Sequence, residues 1–94
     1  MQNNVEDALQ AVRAISNAHR LMLLCSLGEE EKSVSALAEE LGLRQATMSQ
    51  HLARLRQEGV VSARRVGQTV YYRIADRRVQ RLIDTLYEQF CGLE

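Results

Sequence analysis

No stretch of the 94-residue chain approaches the ~18 consecutive apolar residues of a membrane span, and its opening, "MQNNVEDALQ", has neither the basic start nor the hydrophobic stretch of a secretory leader. A cytoplasmic chain with no membrane contact is expected. Cysteine is scarce: Cys25 and Cys91 are the only two. That is too few for a disulfide framework, and a reducing compartment keeps such residues as thiols unless a reagent drives them otherwise. Net charge is also absent, with twelve basic side chains against twelve acidic ones. No repeat, linker or low-complexity tract divides the chain, so residues 1–94 are expected to form one domain. At this size the core is small, and a second subunit is expected to add stability.

The neutral total hides a segregated pattern. Residues 1–43 hold three basic and seven acidic side chains, residues 44–81 hold nine arginines against Glu58 and Asp76, and residues 82–94 hold three acids. Partner binding follows the local field rather than the sum, so a cationic middle points toward a polyanion. A solvated arginine face is the plainer alternative.

Val5, Ala8, Leu9, Val12 and Ile15 recur at helical spacing, and Asn17 in "SNAHR" is placed to cap a second helix running through Leu27. The turn "GEEEK" leads to Ser33, an N-cap for a short third helix, "VSALAEEL", that stops at Gly42. A fourth helix is expected over 45–57. Met48, Leu52 and Leu55 share its apolar back, while Gln45, Ala46, Ser49 and Gln50 lie toward its front. After Gly59 the period drops to two. Residues 60–74 read as a two-stranded wing turning at Gly67-Gln68, and Asp76 opens a last helix, 76–91, with a broad apolar stripe of Val79, Leu82, Ile83, Leu86, Tyr87 and Phe90. The fold class is therefore mainly α with a small β-hairpin, in the order ααααββα.

A short helix, a tight turn and a second helix with small polar residues at its front is the helix-turn-helix arrangement, whose second helix enters the major groove. Gln45 and Gln50 suit an adenine edge, Ala46 a thymine methyl, and Ser49 a base or a phosphate, with Thr47 beside them on the same first turns. Arg54, Arg56, Arg64 and Arg65 are expected to hold phosphates, with Gln68 at the tip of the wing. His51, next to Leu52, reads as a packed or phosphate-contacting side chain. His19 and His51 lie in different segments with no carboxylate at a fixed local spacing, so no metal site, cofactor or acid/base motif is expected. There is no nucleophile-base-orienter set and no phosphate loop, which leaves an enzyme least supported.

"LGLRQATMSQHLARLRQEGVV" followed by "RRVGQTVYYRIAD" resembles the ArsR/SmtB family of bacterial winged-helix transcriptional regulators, along nearly the whole chain. The resemblance implies a homodimer paired through the first and last helices, bound to a palindromic double-stranded DNA operator and released by an inducer. One departure is visible: the family often has serine where Arg44 and Ala46 stand, so a good N-cap and a hydroxyl are missing here. Soft-metal sensors of the family carry cysteines in the third helix where this chain reads "EKSVSAL", and zinc or nickel sensors use histidines along a last helix that here has none. The branch of sulfide- and persulfide-responsive repressors, which includes biofilm-growth regulators, has cysteines at the two places of Cys25 and Cys91. That likeness implies a repressor released when a persulfide or polysulfide bridges them. A general redox regulator, or an activator that displaces another DNA-coating protein, is the alternative on the same scaffold. Core filler is the plain reading of Cys25, and a protein-interaction module is the alternative from another class.

Overall fold

Side-chain oxygens standing in for missing backbone acceptors set three of the helix starts. The computed structural model describes residues 2–90, in the order α1 (Gln2–Ile15), α2 (Ala18–Leu27), β1 (Lys32–Ser33), α3 (Val34–Leu41), α4 (Gln45–Gln57), β2 (Val61–Val66), β3 (Thr69–Ile74) and α5 (Arg77–Phe90). The Asn17 side chain accepts from the Arg20 amide, and the Ser33 hydroxyl from the Ala36 amide at 3.1 Å. Asp76 Oδ1 does the same for Arg78 at the start of α5. Each satisfies an amide that the first helical turn leaves without an acceptor. Between α3 and α4 the chain turns at Gly42, whose left-handed backbone (φ 67, ψ 33) and the bond from the Leu43 amide to the Ala38 carbonyl close α3.

The two-stranded wing needs one correction. Lys32 and Ser33 form a two-residue strand along the outer edge of β3, pairing with Tyr72 and Tyr71, so the sheet has three strands in the order β1-β3-β2. The reason lies in the cap. Ser33 holds φ −81 and ψ 163 in order to cap α3, and that extended backbone also fits a ladder. Two residues are too short to show a period in sequence. The hairpin itself matches the reading: Val66 pairs with Thr69 across Gly67-Gln68, and the positive φ falls on Gly67 alone, as a II′ turn requires.

The core is one cluster. Leu23, Leu24 and Leu27 of α2, Leu37 of α3, and Met48, Leu52 and Leu55 of α4 are fully buried, joined by Val60, Val61, Ile74, Val79 and Ile83. Among the described residues no polar or charged side chain is buried, so the core carries no desolvation cost beyond its backbone. The outer helices contribute little to it. α1 gives Ala14 alone to the buried set, while Val5, Leu9 and Val12 stay 44%, 43% and 50% exposed. The apolar stripe of α5 is split in the same way, with Val79 and Ile83 inside and Leu82, Tyr87 and Phe90 outside.

Arg44 occupies the N-cap position of α4 without any side-chain hydrogen bond to the helix. Arg44→Ser supplies the missing acceptor and is expected to stabilise the fold by about 1 kcal/mol, raising Tm by roughly 5 °C. Thermal unfolding followed by circular dichroism measures it. An unchanged or lowered Tm would show that water already serves those amides as well as a hydroxyl does.

Candidate DNA-reading surface and thiol groove

The apolar back of α4 fixes what its front presents. With Met48, Leu52 and Leu55 buried, the opposite line of the helix is Ala46, Gln50, Ala53 and Gln57, all exposed. Two alanines set between two glutamines leave a low surface with amide groups at its edges, a shape that lets a helix approach base pairs closely. Gln45, Ser49 and Arg56 lie exposed along one flank, and the half-buried Thr47 and His51 with the exposed Arg54 lie along the other. Ala53 and Gln57 were not among the expected contacts. Both follow an expected residue, Ala46 or Gln50, by seven positions, which is two helical turns on the same face.

His51 does not belong to the open surface. It lies three residues from Met48 and four from Leu55, at the edge of the buried stripe, and its ring meets that of His19 edge-on with centroids 5.6 Å apart. Thus it ties the flank of α4 to the start of α2. Partial burial, then the charges of Arg20, His19 and Arg54, push its pKa below the ordinary histidine value. The packed reading of His51 corresponds to this contact with His19.

The arginines divide by what holds them. Arg54 Nε lies 3.4 Å from Glu58 Oε2, in a cleft of mixed charge that includes Glu6, Asp7 and Arg13 of α1 and Arg20 of α2. Arg64 on β2, expected to hold a phosphate, makes a two-point contact with Glu31 at 2.7 and 3.0 Å. Arg44, Arg56 and Arg65 are exposed and have no ion pair among the described residues. Arg44, directly before α4, was read only as a lost cap. Gln68 is exposed at the wing tip.

Cys25 lies on α2 between Leu24 and Leu27 but is only half-buried, packed against the edge of the core. It lines a groove of about 700 Å³ together with Leu21 and Met22 of its own helix and Ile83, Asp84 and Tyr87 of α5. Lys32 also lines it, with Nζ held 3.0 Å from Glu40 Oε1 and 3.3 Å from Ser26 Oγ. Four carboxylates, Glu29, Glu30, Glu40 and Asp84, share the rim with that one lysine. Cys91 lies outside the described residues; in sequence it directly follows Phe90, the end of α5. No helix among the described residues is long and apolar enough to cross a membrane.

A short helix, a left-handed glycine turn, a second helix with an open polar front and an antiparallel wing together define a winged helix-turn-helix DNA-binding domain. The sequence model for bacterial regulatory proteins of the arsR family matches residues 17–63. The chain belongs to that family of transcriptional regulators. It is 38% identical to the transcriptional activator HlyU of Vibrio cholerae over 97% of this chain and 84% of the relative. It is 37% identical to the biofilm growth-associated repressor of Agrobacterium fabrum over 100% and 80%. The solved structure of Vibrio cholerae HlyU superposes with a TM-score of 0.93, covering 98% of this chain and 100% of that one, and its reduced form has also been solved. The homodimeric winged helix-turn-helix domain Mb0332 of Mycobacterium bovis, 33% identical, superposes at 0.80 over 94% and 82%.

The lowered pKa of His51 gives stability a pH dependence whose sign follows from proton counting. Near pH 6 the unfolded chain binds more protons at this site than the folded one, so the contribution is complete above the unfolded value of about 6.5 and falls as pH drops through that value toward the folded one. Glu31, Glu40 and Asp76 also titrate below their ordinary values, but their losses belong to a window below about pH 4.5. Urea unfolding at about pH 7.5, 6.0 and 5.0 is expected to show a decline that flattens in His51→Gln. An identical decline in the variant would remove His51 as its source.

Proposed function

We propose that the chain is a homodimeric transcriptional repressor of the reducing cytoplasm. It binds an imperfect palindrome through α4 and the wing, and reactive sulfur species release it through Cys25 and Cys91. The observation that carries the DNA half is the front of α4, where Ala46, Gln50, Ala53 and Gln57 are exposed opposite a fully buried back. Gln45, Ser49 and Gln50 read bases. Thr47, half-buried on the flank, orients the first turn beside them. Arg44, Arg56 and Arg65 grip the phosphates, and Gln68 reaches from the wing tip.

Dimerisation is supported by the exposed apolar faces of the first and last helices. Val5, Leu9 and Val12 on α1 and Leu82, Tyr87 and Phe90 on α5 are each 39% or more exposed. Covering what remains of six such side chains contributes on the order of 5 kcal/mol, comparable with the whole stability of a small domain. The Mycobacterium bovis relative is described as homodimeric. A dimer carries two reading helices, which is what a palindrome matches.

The sensing half rests on the place of Cys25 and the sequence position of Cys91. Cys25 shares a groove with Ile83, Asp84 and Tyr87 of α5, and Cys91 comes four residues after Tyr87 in the sequence. In the proposed chemistry the Cys25 thiolate takes the terminal sulfur of an organic persulfide and releases the corresponding thiol. The Cys91 thiolate then attacks the resulting Cys–S–SH, closing a disulfide with loss of hydrosulfide. If both residues are persulfidated first, the same displacement closes a trisulfide, whose extra atom lengthens the reach. The acidic rim disfavours bulky anionic disulfides such as oxidised glutathione. Tying α2 to α5 would then change the spacing of two reading heads across an interface built on α5. A coupling of about 1–3 kcal/mol is enough for a 5- to 150-fold change in affinity. The Vibrio cholerae relative is named an activator, so the output on this scaffold, activation by displacing another DNA-coating protein, is the second reading.

Two experiments test these halves. Selection of bound sequences from a random duplex pool, followed by footprinting, is expected to give two protected half-sites about one helical turn apart, with Gln50→Ala weakening the selected site by about 1–3 kcal/mol and relaxing it at one position. A single half-site would remove the dimeric reading. For the thiols, intact-mass measurement after persulfide, peroxide and oxidised glutathione is expected to show an internal bridge with persulfide alone, and Cys25→Ser or Cys91→Ser is expected to bind DNA normally without release. Release retained in both variants sinks the thiol mechanism and returns Cys25 to the core.

A further inference from the structure

Arg64 stands opposite Tyr71 of β3, and Tyr71 opposite Ser33 of β1. The arginine side chain therefore crosses the middle strand to reach its partner. Its guanidinium lies over the Tyr71 ring, 5.6 Å from the centroid, and ends on Glu31 with Nη2 2.7 Å from Oε1 and Nε 3.0 Å from Oε2. Two parallel N–H···O bonds onto a pair of anionic oxygens is the geometry with which arginine grips a DNA phosphate. The pair is open to such a competitor, the Arg64 side chain being 60% exposed and that of Glu31 28%. The hydrogen bonds from Arg64, outweighing slight desolvation, and then the charges of Arg64 and Arg73 hold the Glu31 carboxyl below its ordinary range, so it is ionised throughout neutral pH.

We infer that Glu31 is an internal stand-in for a DNA phosphate, occupying the fork of Arg64 in the unbound protein and giving it up when the wing docks on the duplex. The inference rests on the DNA-binding reading above and adds a residue that sets its strength. An exposed ion pair is loosely held, so a phosphate in the dense charge array of a duplex can replace the carboxylate. The exchange nevertheless subtracts from affinity twice: the internal pair is lost, and a bare carboxylate is left near the phosphates. Tyr71 lies under the guanidinium in the starting arrangement, keeping it extended across the sheet rather than folded into solvent.

The test is binding of a labelled duplex of random sequence, about 30 bp long, measured by fluorescence anisotropy across a salt series. Glu31→Gln is expected to bind about two- to fivefold more tightly than the natural chain and to steepen the slope of log K against log salt by up to about 0.9, the equivalent of one phosphate charge no longer offset by the freed carboxylate. Glu30→Gln removes the same charge one residue away, from an exposed side chain with no ion pair among the described residues, and is expected to change affinity far less. In an Arg64→Ala background the gain from Glu31→Gln is expected to vanish. Equal tightening in the Glu30 and Glu31 variants, or a gain that survives without Arg64, would reduce Glu31 to one more negative charge and overturn the inference. So would weaker binding by Glu31→Gln, which would make the pair a brace for the wing. If the natural chain binds no duplex at any salt, the DNA-binding reading falls, and this inference with it.

Discussion

Every other part of the molecule leans on α2. Its Leu23, Leu24 and Leu27 are fully buried, and they belong to the same cluster as the backs of α3 and α4, the base of the sheet and the two inward residues of α5. A ten-residue helix with three leucines in the core cannot rotate or slide without opening a cavity, because interiors are packed nearly as tightly as crystals. The orientation of the reading helix follows from this. α4 has no side-chain cap and an otherwise polar surface, so its position depends on Met48, Leu52 and Leu55 filling the space that α2 and α3 leave. Arg20 strengthens the arrangement from the other side, donating from Nε and Nη2 to the carbonyls at the end of α1. Those carbonyls have no partner within their own helix.

The place of Cys25 on α2 takes its significance from the same constraint. A fully buried thiol in the core would be inert, and a thiol on an outlying loop would move nothing when it reacted. Half-burial at the edge of the groove gives access, and attachment to the central helix gives leverage. The single lysine on the rim is already engaged by Glu40, and four carboxylates surround it. On the proposed function, selectivity between sulfur reagents rests on access to the groove and on a second thiol.

Most of the fold was legible in the sequence because its signals are local. Asn17, Ser33 and Asp76 cap where they were read to cap, and Gly42 and Gly67 turn the chain as expected. The period-two run gives the wing. What escaped was non-local or too short to have a period. β1 is two residues long and exists because a cap residue is also extended against β3, a fact set by a partner about forty residues away. The candidate site divides along the same line. The small polar front of α4 follows from helical spacing alone, whereas the engagement of Arg64 by Glu31, the packing of His51 on His19 and the acidic rim around Cys25 join residues distant in sequence. The apolar stripe of α5 was visible as a stripe, but no sequence rule says which part of it faces its own subunit.

Residues 31–33 show how little chain is needed to join these parts. Successive side chains of an extended segment point to opposite faces, so three neighbours can serve three different elements. Glu31 reaches across β3 to Arg64 of the wing, Lys32 turns the other way to Ser26 of α2 and Glu40 of α3, and Ser33 caps α3 while its backbone pairs with Tyr71. Ser26 is the neighbour of Cys25, and α3 is the helix that precedes the reading helix. The segment thus bonds to the wing on one face and to the thiol-bearing helix on the other, with the start of the helix-turn-helix between them. None of these contacts is strong alone, since exposed ion pairs and caps are each modest. Their effect comes from geometry: a displacement of α2 relative to α3 cannot leave Lys32 bonded to both, and Lys32 cannot move without carrying the backbone that positions Glu31 and Ser33.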